Sequence, residues 1–350
     1  MAPRIFLSAG EPSGDLHGGA LVTALRRRWP DALVESLGGP RIRAAGAVIR
    51  FAMEQYTVMG FVEVLGKVPA HLRLLRTLES DFAAGKYDLA ILIDYPGFHV
   101  RVAEAARRHG VKVLYYIAPQ LWAWRPGRAK RLAGAVDRLA AVLPFEPAFF
   151  TKHGIVAEYV GHPLLDRAPL PARAVARQAL GFAPDERVLG LFPGSRHQEV
   201  HRLWTSFRGA ALRLLDMRVC DRVVVAGTAT GEYPGAERFV VHRGLPDQVF
   251  AAADAALAKS GTTTLEAALA DLPMVVAYRV HPLTSWLARQ LITVPWISLV
   301  NLVAEAPVVE ELVQSDASPE RLAAARGPSR SRSGPTAAAQ RTGLAEVRRR

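Results

Sequence analysis

The 350-residue sequence has little cysteine, little lysine and no long apolar run. Its single cysteine, Cys220, excludes an intramolecular disulfide framework and any zinc site built from several cysteines. No uncharged apolar run reaches the roughly 18–20 residues that a membrane-spanning helix needs. No secretory signal follows Met1. We therefore expect a cytoplasmic protein that can still touch a membrane surface.

Positive charge is concentrated near one end of the chain. The 44 Lys and Arg residues against 32 Asp and Glu residues give a net charge of +12. Residues 321–350 hold eight arginines and one glutamate, so they carry +7 and leave +5 for residues 1–320. That remainder is ordinary, and no zinc-finger spacing, RNP-like aromatic motif or basic-region heptad array is present. We predict an enzyme with a basic low-complexity tail at 321–350, rather than a non-enzymatic nucleic-acid or membrane-binding protein.

Short apolar runs alternate with helical patterns, which is typical of α/β domains with parallel sheets. The alternation pauses at a proline-containing connector near residue 170 and restarts at Val188. At about 150 residues per domain, the length also favours two domains. We predict Rossmann-like domains at 1–165 and 166–320, with parallel sheets that face an interdomain cleft. After Ala323 the pattern weakens, and the low-complexity residues 327–335 are expected to form a loop or to be disordered.

A glycine-rich turn follows the first predicted strand. It reads SAGEPSGDLHG over residues 8–18 and lacks the spacing of a dinucleotide fingerprint or a hydrolase elbow. Such a turn lets the main chain approach a ligand closely. The candidate site residues here are Glu11, Ser13, Gly14 and His17. The alternative is a simple turn in which Ser13 or Asp15 caps the next helix.

Two later segments of the first half carry further candidates. Asp94 follows the apolar run 89–93, and a carboxylate at the carboxyl end of a parallel strand can act as a general base. Its alternative role is a helix N-cap. Trp122 lies in a segment with a second indole and an arginine, which suits stacking on a sugar or packing between domains.

The second half repeats the strand–turn–helix pattern at two places. Residues 193–196, PGSR, offer main-chain amides and the guanidinium of Arg196 to a phosphate, with Ser195 beside it. Ser260, Gly261 and Thr262 open a later helix, one turn before Glu266. Glu266 suits a ribose diol or, alternatively, a capping box. A plain strand-to-helix turn is the alternative for PGSR, and a P-loop is absent.

Taken together, these segments closely resemble the lipid-A-disaccharide synthase family, which comprises inverting glycosyltransferases of the GT-B fold. The matching stretches run in order from residue 8 to residue 304. They are SAGEPSGDLHG, VMGFVEVLG, LIDYPGF, APQLWAWR, LPFE, GHP, PGSR, KSGTTTLE, PMVVAYR and SLVNLVA. The resemblance departs at Glu305-Ala306-Pro307, where the family usually has Gly-Arg, and in the tail.

The resemblance implies a reaction between UDP-2,3-diacylglucosamine and 2,3-diacylglucosamine 1-phosphate. The products are a β-1,6-linked disaccharide phosphate and UDP. Asp94 is the leading candidate for the base, with Glu11 and His17 as the other candidates. The residues that the resemblance implies on the acceptor-binding side are Ser13, Gly14, Met59 and Trp122. The residues that the resemblance implies on the donor side, where UDP binds, are Arg196, Ser195, Ser260, Gly261, Thr262, Glu266 and Asn301. No cofactor or metal is expected, because Arg196 and helix-start amides suit the phosphates.

Both substrates of that reaction carry acyl chains, so the resemblance also implies docking on the cytoplasmic face of the inner membrane. The segment 58–76 interleaves apolar residues with cations, as interfacial helices do. An ordinary buried amphipathic helix is the alternative. The family further implies a homodimer. Another UDP-sugar enzyme of this fold, such as a UDP-N-acetylglucosamine 2-epimerase, is the alternative function.

Overall fold

The computed structural model of the chain describes residues 2–56, 61–123, 126–280, 294–325 and 335–350, with only the main chain at 61–65 and 335–336. Contacts divide the chain into two compact units, Met1–Asp166 and Arg167–Arg350. The boundary lies one residue after the position predicted from the sequence.

The first unit is built on a parallel sheet. Within the described residues its seven strands are β1 (Arg4–Ala9), β2 (Leu33–Gly38), β3 (Val48–Ala52), β4 (Leu89–Ile93), β5 (Lys112–Tyr116), β6 (Arg138–Ala141) and β7 (Ala157–Tyr159). Their order is β3-β2-β1-β4-β5-β6-β7, and all the pairings are parallel. The central strands β1 and β4 are mostly apolar and buried, as is typical of a parallel sheet with helices on both faces.

Six α-helices accompany this sheet in the part of the chain that is described. They are α1 (Pro12–Arg28), α2 (Pro40–Ala44), α3 (Phe61–Ala83), α4 (Pro96–Arg108), α5 (Arg128–Ala133) and α6 (Glu146–Lys152). Short 3-10 helices lie at Met53–Gln55 and Pro163–Asp166. Helix α1 has proline in its first turn and three arginines in its last turn, as the fixed φ of proline and the helix dipole favour.

The second unit repeats the plan. Its described strands are β8 (Val188–Phe192), β9 (Arg222–Ala226), β10 (Val240–His242), β11 (Ala255–Lys259), β12 (Met274–Tyr278) and β13 (Glu310–Val313), in the parallel order β10-β9-β8-β11-β12-β13. Its described α-helices are α7 (Arg173–Leu180), α8 (His197–Asp216), α9 (Asp247–Ala252), α10 (Thr262–Leu269), α11 (Leu299–Ala304), α12 (Pro319–Ala324) and α13 (Pro335–Arg349). A 3-10 helix lies at Gln314–Asp316. Helix α8 packs on the sheet through Leu203, Phe207 and Leu214.

Each sheet has a point at which the strand order reverses. In the first unit this switch point lies between β1 and β4, where Ala9 is in register with Ile93. In the second it lies between β8 and β11, where Phe192 is in register with Ala258. Ligands of doubly wound sheets bind outside the carboxyl ends of the strands at such points. The chain therefore has two places at which its topology favours a binding site.

The prediction of an α/β fold with two parallel sheets is confirmed. The strands β3 and β13, each at one edge of its sheet, were not predicted from the sequence. Most of their residues are only partly buried, and they lack the long apolar run that marks a central strand.

The tail contains a helix that was not predicted from the sequence. Helix α13 occupies Pro335–Arg349, and the side chain of Gln340 bonds both the N–H and the carbonyl of Met274. Five of the eight tail arginines have acidic partners: Arg321, Arg341, Arg348, Arg349 and Arg350. Residues 326–334 lie outside the described residues. Much of the tail charge is therefore paired inside the second unit.

Candidate active site

The loops after β1 and β4 meet at the switch point of the first unit. The ring of Tyr95 covers Gly10, and a Cβ atom on Gly10 would lie 2.4 Å from the Tyr95 Cδ1 atom. Only glycine permits this approach. Burial, and then the charge of Glu11, raise the pKa of Tyr95, so the Glu11 carboxylate lies near its phenol. The structure thus brings together the two segments that the sequence analysis selected separately.

Asp94 directly follows β4 and is partly buried. Its φ is +49°, in the left-handed region, and Tyr95 follows with φ +52°. Its charge contributes to raising the pKa of both Tyr115 and Glu146, after the larger effect of burial in each. The carboxylate of Asp94 therefore lies close to two buried ionisable side chains.

Around helix α1 the candidate residues differ in their exposure. Glu11 stands at the N-cap position and is partly buried, as is His17, whereas Ser13 is exposed and Gly14 is buried. Met59 lies outside the described residues.

Asp15 has a structural role at the start of α2. Its carboxylate accepts the main-chain N–H groups of Gly39 at 2.8 Å, Arg41 at 3.0 Å and Ile42 at 3.2 Å. These amides have no partner inside their own helix, so a buried carboxylate satisfies them. Of the ionisable side chains in this turn, Glu11 and His17 remain candidates for the site.

Trp122 is buried, and its indole N–H is already used. It donates to Glu146 Oε1 at 3.0 Å, and its ring packs edge to face on Phe145 with a centroid distance of 4.9 Å. Glu146 Oε2 accepts the N–H groups of Val142 at 3.1 Å and Leu143 at 3.0 Å. Burial is the largest effect and raises the pKa of Glu146 to about 7, against these hydrogen bonds. In the sequence Glu146 stands out only as the end of the matching stretch LPFE, which predicts no role for its side chain.

In the second unit the loop after β8 is occupied by a carboxylate of its own chain. Glu199, in the first turn of α8, accepts the N–H groups of Ser195 at 3.2 Å and Arg196 at 3.4 Å through Oε2. Gly194 has φ +123°, and a Cβ there would lie 2.7 Å from Glu199 Oε2. Ser195 and Arg196 are exposed. The loop is thus shaped to present two amides to an anionic oxygen.

Lys259, the last residue of β11, joins the two loops of this switch point. Its Nζ lies 2.9 Å from Glu199 Oε1. Burial works to raise the pKa of Glu199, but the charge and hydrogen bond of Lys259 outweigh it, so the pKa lies below the usual value. The sequence analysis missed both residues. The signal available was a rare lysine directly before the Ser260-Gly261-Thr262 turn.

The remaining donor-side candidates are partly engaged inside the second unit. Ser260 donates its hydroxyl to the carbonyl of Ile297 at 2.6 Å, and Glu266 forms an ion pair with Arg167. Gly261 has φ +151°, and Thr262 is exposed.

Asn301 is buried, and its amide is fully used by the chain. Nδ2 donates to the Val309 carbonyl at 2.9 Å and to Glu311 Oε1 at 2.8 Å, while Oδ1 accepts the Val309 N–H at 2.8 Å. Glu311 also accepts the N–H groups of Ile297 and Ser298, at 2.9 Å each. Asn301 and Glu311 together hold the segment that leads into α11.

The described residues contain neither a metal-binding cluster nor a membrane-spanning helix. No group of three or more His, Cys, Asp or Glu side chains in them is arranged to hold a metal ion. Among the helices that are described, none has the length and apolar character to cross a membrane.

A family model described as lipid-A-disaccharide synthetase matches residues 5–342. The chain belongs to this family. The lipid-A-disaccharide synthase of Myxococcus xanthus is 41% identical over 331 residues, which cover 92% of this chain and 86% of that protein. The Pseudomonas aeruginosa enzyme of the same name is 42% identical over 335 residues, covering 93% and 89%. The predicted resemblance is confirmed, and with it the prediction of a glycosyltransferase.

Solved structures of much lower identity share the fold of this family member. The UDP-GlcNAc 2-epimerase of Neisseria meningitidis bound to UDP-GlcNAc has a TM-score of 0.60 at 9% identity, covering 93% of this chain and 90% of that one. The glycotransferase of kitacinnamycin has a TM-score of 0.59 at 17% identity, covering 99% and 95%. At such identities the likeness concerns the fold alone. It therefore gives the epimerase alternative no support.

Proposed function

We propose that this family member transfers a diacylglucosamine unit from UDP-2,3-diacylglucosamine to the 6-hydroxyl of 2,3-diacylglucosamine 1-phosphate. The products are UDP and a β-1,6-linked lipid A disaccharide 1-phosphate. The observation that carries the proposal is the position of the family motifs. In each unit the segments at the ends of the two central strands, β1 and β4 or β8 and β11, contain four of them: SAGEPSGDLHG, LIDYPGF, PGSR and KSGTTTLE.

On the acceptor side, Asp94 is the proposed general base. It takes the proton from the 6-hydroxyl as the oxygen attacks C1 of the donor sugar, and it later releases that proton to water. Attack opposite to the departing UDP inverts the configuration at C1. The negative charge of Glu11 near Tyr95 and the imidazole of His17 line the same turn. Ser13, Gly14, Met59 and Trp122 complete the proposed acceptor side, with Trp122 acting through its packing on Phe145.

On the donor side, the charge that develops on the leaving UDP meets positive groups. The N–H groups of Ser195 and Arg196 bind the diphosphate at the start of α8, and the Arg196 guanidinium adds a bidentate cation. Lys259 supplies a second cation 2.9 Å from the carboxylate that now holds those amides. Ser260, Gly261 and Thr262 line the neighbouring turn, and Glu266 binds the ribose diol after it leaves Arg167.

Asn301 acts indirectly in this proposal. Because both of its N–H groups are bonded to Val309 and Glu311, it shapes the donor side rather than donating to the sugar. These cations and amides stabilise the leaving group by electrostatics, the role that a metal ion plays in other transferases.

The acyl chains of both substrates require contact with a lipid surface. We propose that α3 lies on the cytoplasmic face of the inner membrane. Val68 and Leu72 are exposed on this helix next to the exposed Arg73 and Arg76. Apolar side chains beside cations suit an anionic interface. Leu74 is buried and belongs to the core instead.

The test is a transfer assay that follows UDP release from the purified donor, with and without the acylated sugar phosphate. We expect release only when both substrates are present. Asp94→Asn should lower turnover by at least about 100-fold, since general base catalysis contributes roughly 10²–10⁴-fold, and UDP affinity should stay unchanged. The matched control is Asp88→Asn, at the other end of β4, where the carboxylate pairs with the exposed Arg4.

Acceptor-independent release of UDP would contradict the transferase and favour an epimerase-like reaction. Normal turnover in Asp94→Asn would remove Asp94 as the base and leave Glu11 and His17 as the candidates. A homodimer, which the family resemblance implies, is tested separately by the mass of the protein in solution.

A further inference from the structure

The turn after β4 adopts an unfavourable conformation at two consecutive residues. Asp94 and Tyr95 have φ values of +49° and +52°, a region that costs free energy for residues other than glycine. Such conformations persist only where the surrounding structure holds them. The groups that hold this turn therefore control where the Asp94 carboxylate points.

Two fully buried side chains hold the main chain of Asp94. Its carbonyl oxygen accepts a hydrogen bond from the Tyr115 hydroxyl at 2.6 Å and another from His99 Nδ1 at 2.7 Å. Its N–H donates to the carbonyl of Tyr116 at 3.2 Å. These bonds engage the main chain of Asp94 and do not neutralise its carboxylate.

The partners of His99 determine its tautomer. A carbonyl only accepts, so His99 Nδ1 carries the proton. Burial lowers the pKa of His99 to about 4, so the ring is neutral and Nε2 keeps a lone pair. Ser8 on β1 donates to that nitrogen through Oγ at 2.7 Å. Burial, and then the charge of Asp94, raise the pKa of Tyr115 well above 10, so the phenol stays a donor.

We propose that His99 and Tyr115 are positioning residues that lock the Asp94 main chain in its left-handed conformation and so aim its carboxylate at the acceptor hydroxyl. This proposal rests on the proposed function. Ser8 fixes the ring of His99, and the bonds join β1, β4, β5 and α4 around one turn. Fixed orientation of a reacting group is worth a large factor in rate, since a misplacement of about 1 Å can cost about 100-fold.

The test separates the two ring nitrogens of His99. In His99→Asn the amide nitrogen occupies the Nδ1 position and can still donate to Asp94, whereas in His99→Gln the polar atoms reach towards Ser8 and the Nδ1 donor is lost. We expect kcat to fall at least about 10-fold in His99→Gln and in Tyr115→Phe. In His99→Asn it should stay within about threefold of the wild type. KM values and UDP affinity should be unchanged in all three, and kcat is calculated per folded molecule so that a loss of stability does not count as a loss of turnover.

The structural control is Tyr87→Phe. Tyr87 is also buried, but its hydroxyl bonds Glu35 and Arg50, away from Asp94. It should lose thermal stability as Tyr115→Phe does and keep its kcat. Equal kcat values in Tyr115→Phe, His99→Gln and the wild type would overturn the proposal, as would kcat losses that follow melting temperature in all variants.

A second measurement does not depend on activity. The ¹⁵N spectrum of His99 at pH 7 should show a protonated Nδ1 and a bare Nε2 in the wild type. The opposite tautomer, or a charged ring, overturns the inference whether or not the protein makes disaccharide. A wild type without transferase activity, but with the expected tautomer, would count against the proposed function and support the positioning network.

Discussion

Glu199 and Lys259 are the residues whose role is most open to direct measurement. The carboxylate of Glu199 holds the same amides that the proposed function gives to the diphosphate, so UDP must displace it. Glu199→Gln should therefore bind UDP about threefold to tenfold more tightly. Lys259→Met should bind it about tenfold more weakly, since a hydrogen bond to a charged group contributes roughly 1.5–3 kcal/mol. Calorimetry with UDP measures both.

The control for these variants is Lys86→Met, which breaks a comparable ion pair with Glu35 in the first unit. Its UDP affinity should equal that of the wild type. Weaker binding in Glu199→Gln would mean that the carboxylate supports the site rather than competing for it.

Single residues were predictable from the sequence when their role depends on their own segment. Asp94 directly follows β4 and Arg196 closes the turn after β8, and that placement alone marks them as candidates. The pair of Lys259 and Glu199 was not predictable, because it forms only when β8 and β11 become neighbours. Glu146 was missed for the same reason, since its burial depends on Trp122 and on the turn after β6.

At the scale of elements, α3 is the one proposed to meet the membrane. Removing two exposed apolar side chains by Val68→Ser with Leu72→Ser should weaken binding to vesicles of anionic lipid by about tenfold or more, since each buried CH₂ contributes about 0.8 kcal/mol. Vesicle sedimentation measures this. Val175→Ser on α7, where the valine is also exposed, is the matched control. Equal sedimentation of all three proteins would contradict docking through α3.

Sequence patterns predicted the central strands of both sheets but did not predict the helix α13. Central strands such as β4 and β8 were predicted because both faces are buried and the apolar run is unbroken. Helix α13 was missed because a segment rich in Gly, Pro and Ser precedes it and few of its residues are strongly apolar. Its stability comes from tertiary contacts instead, through Gln340 on Met274 and Arg348 on the carbonyl of Ala268.

For the whole molecule, the buried His99 predicts loss of stability in acid. Burial lowers the pKa of His99 from 6.5 to about 4 in the folded protein. Between these two pH values the histidine is protonated in the unfolded chain and neutral in the folded chain, so protonation favours unfolding. Stability therefore falls as the pH drops from about 6.5 towards 4. At 1.36 kcal/mol per pKa unit, this group accounts for about 3 kcal/mol.

The measurement is the free energy of unfolding by urea at pH 7 and pH 4.5. The difference between the two pH values should be smaller in His99→Asn than in the wild type by about 2–3 kcal/mol. An equal difference in both proteins would show that His99 titrates normally. The groups around the ring are Ser8, Tyr95 and Tyr115 with the carbonyl of Asp94, and none of them supplies a formal charge in this range.

The hydrogen bonds between Gln340 and the main chain of Met274 also determine the order in which the two units can be completed during synthesis. The first strand pairings of the second unit can form as β8, β9 and β11 leave the ribosome. Met274 at the start of β12 can bond Gln340 only after 66 more residues have been synthesised. At roughly 5–20 residues per second, that wait lasts about 3–13 seconds. The first unit, whose segments all precede Arg167, can complete its sheet before this interval begins. The first unit can thus form its sheet while the start of β12 still lacks the side-chain partner that α13 brings.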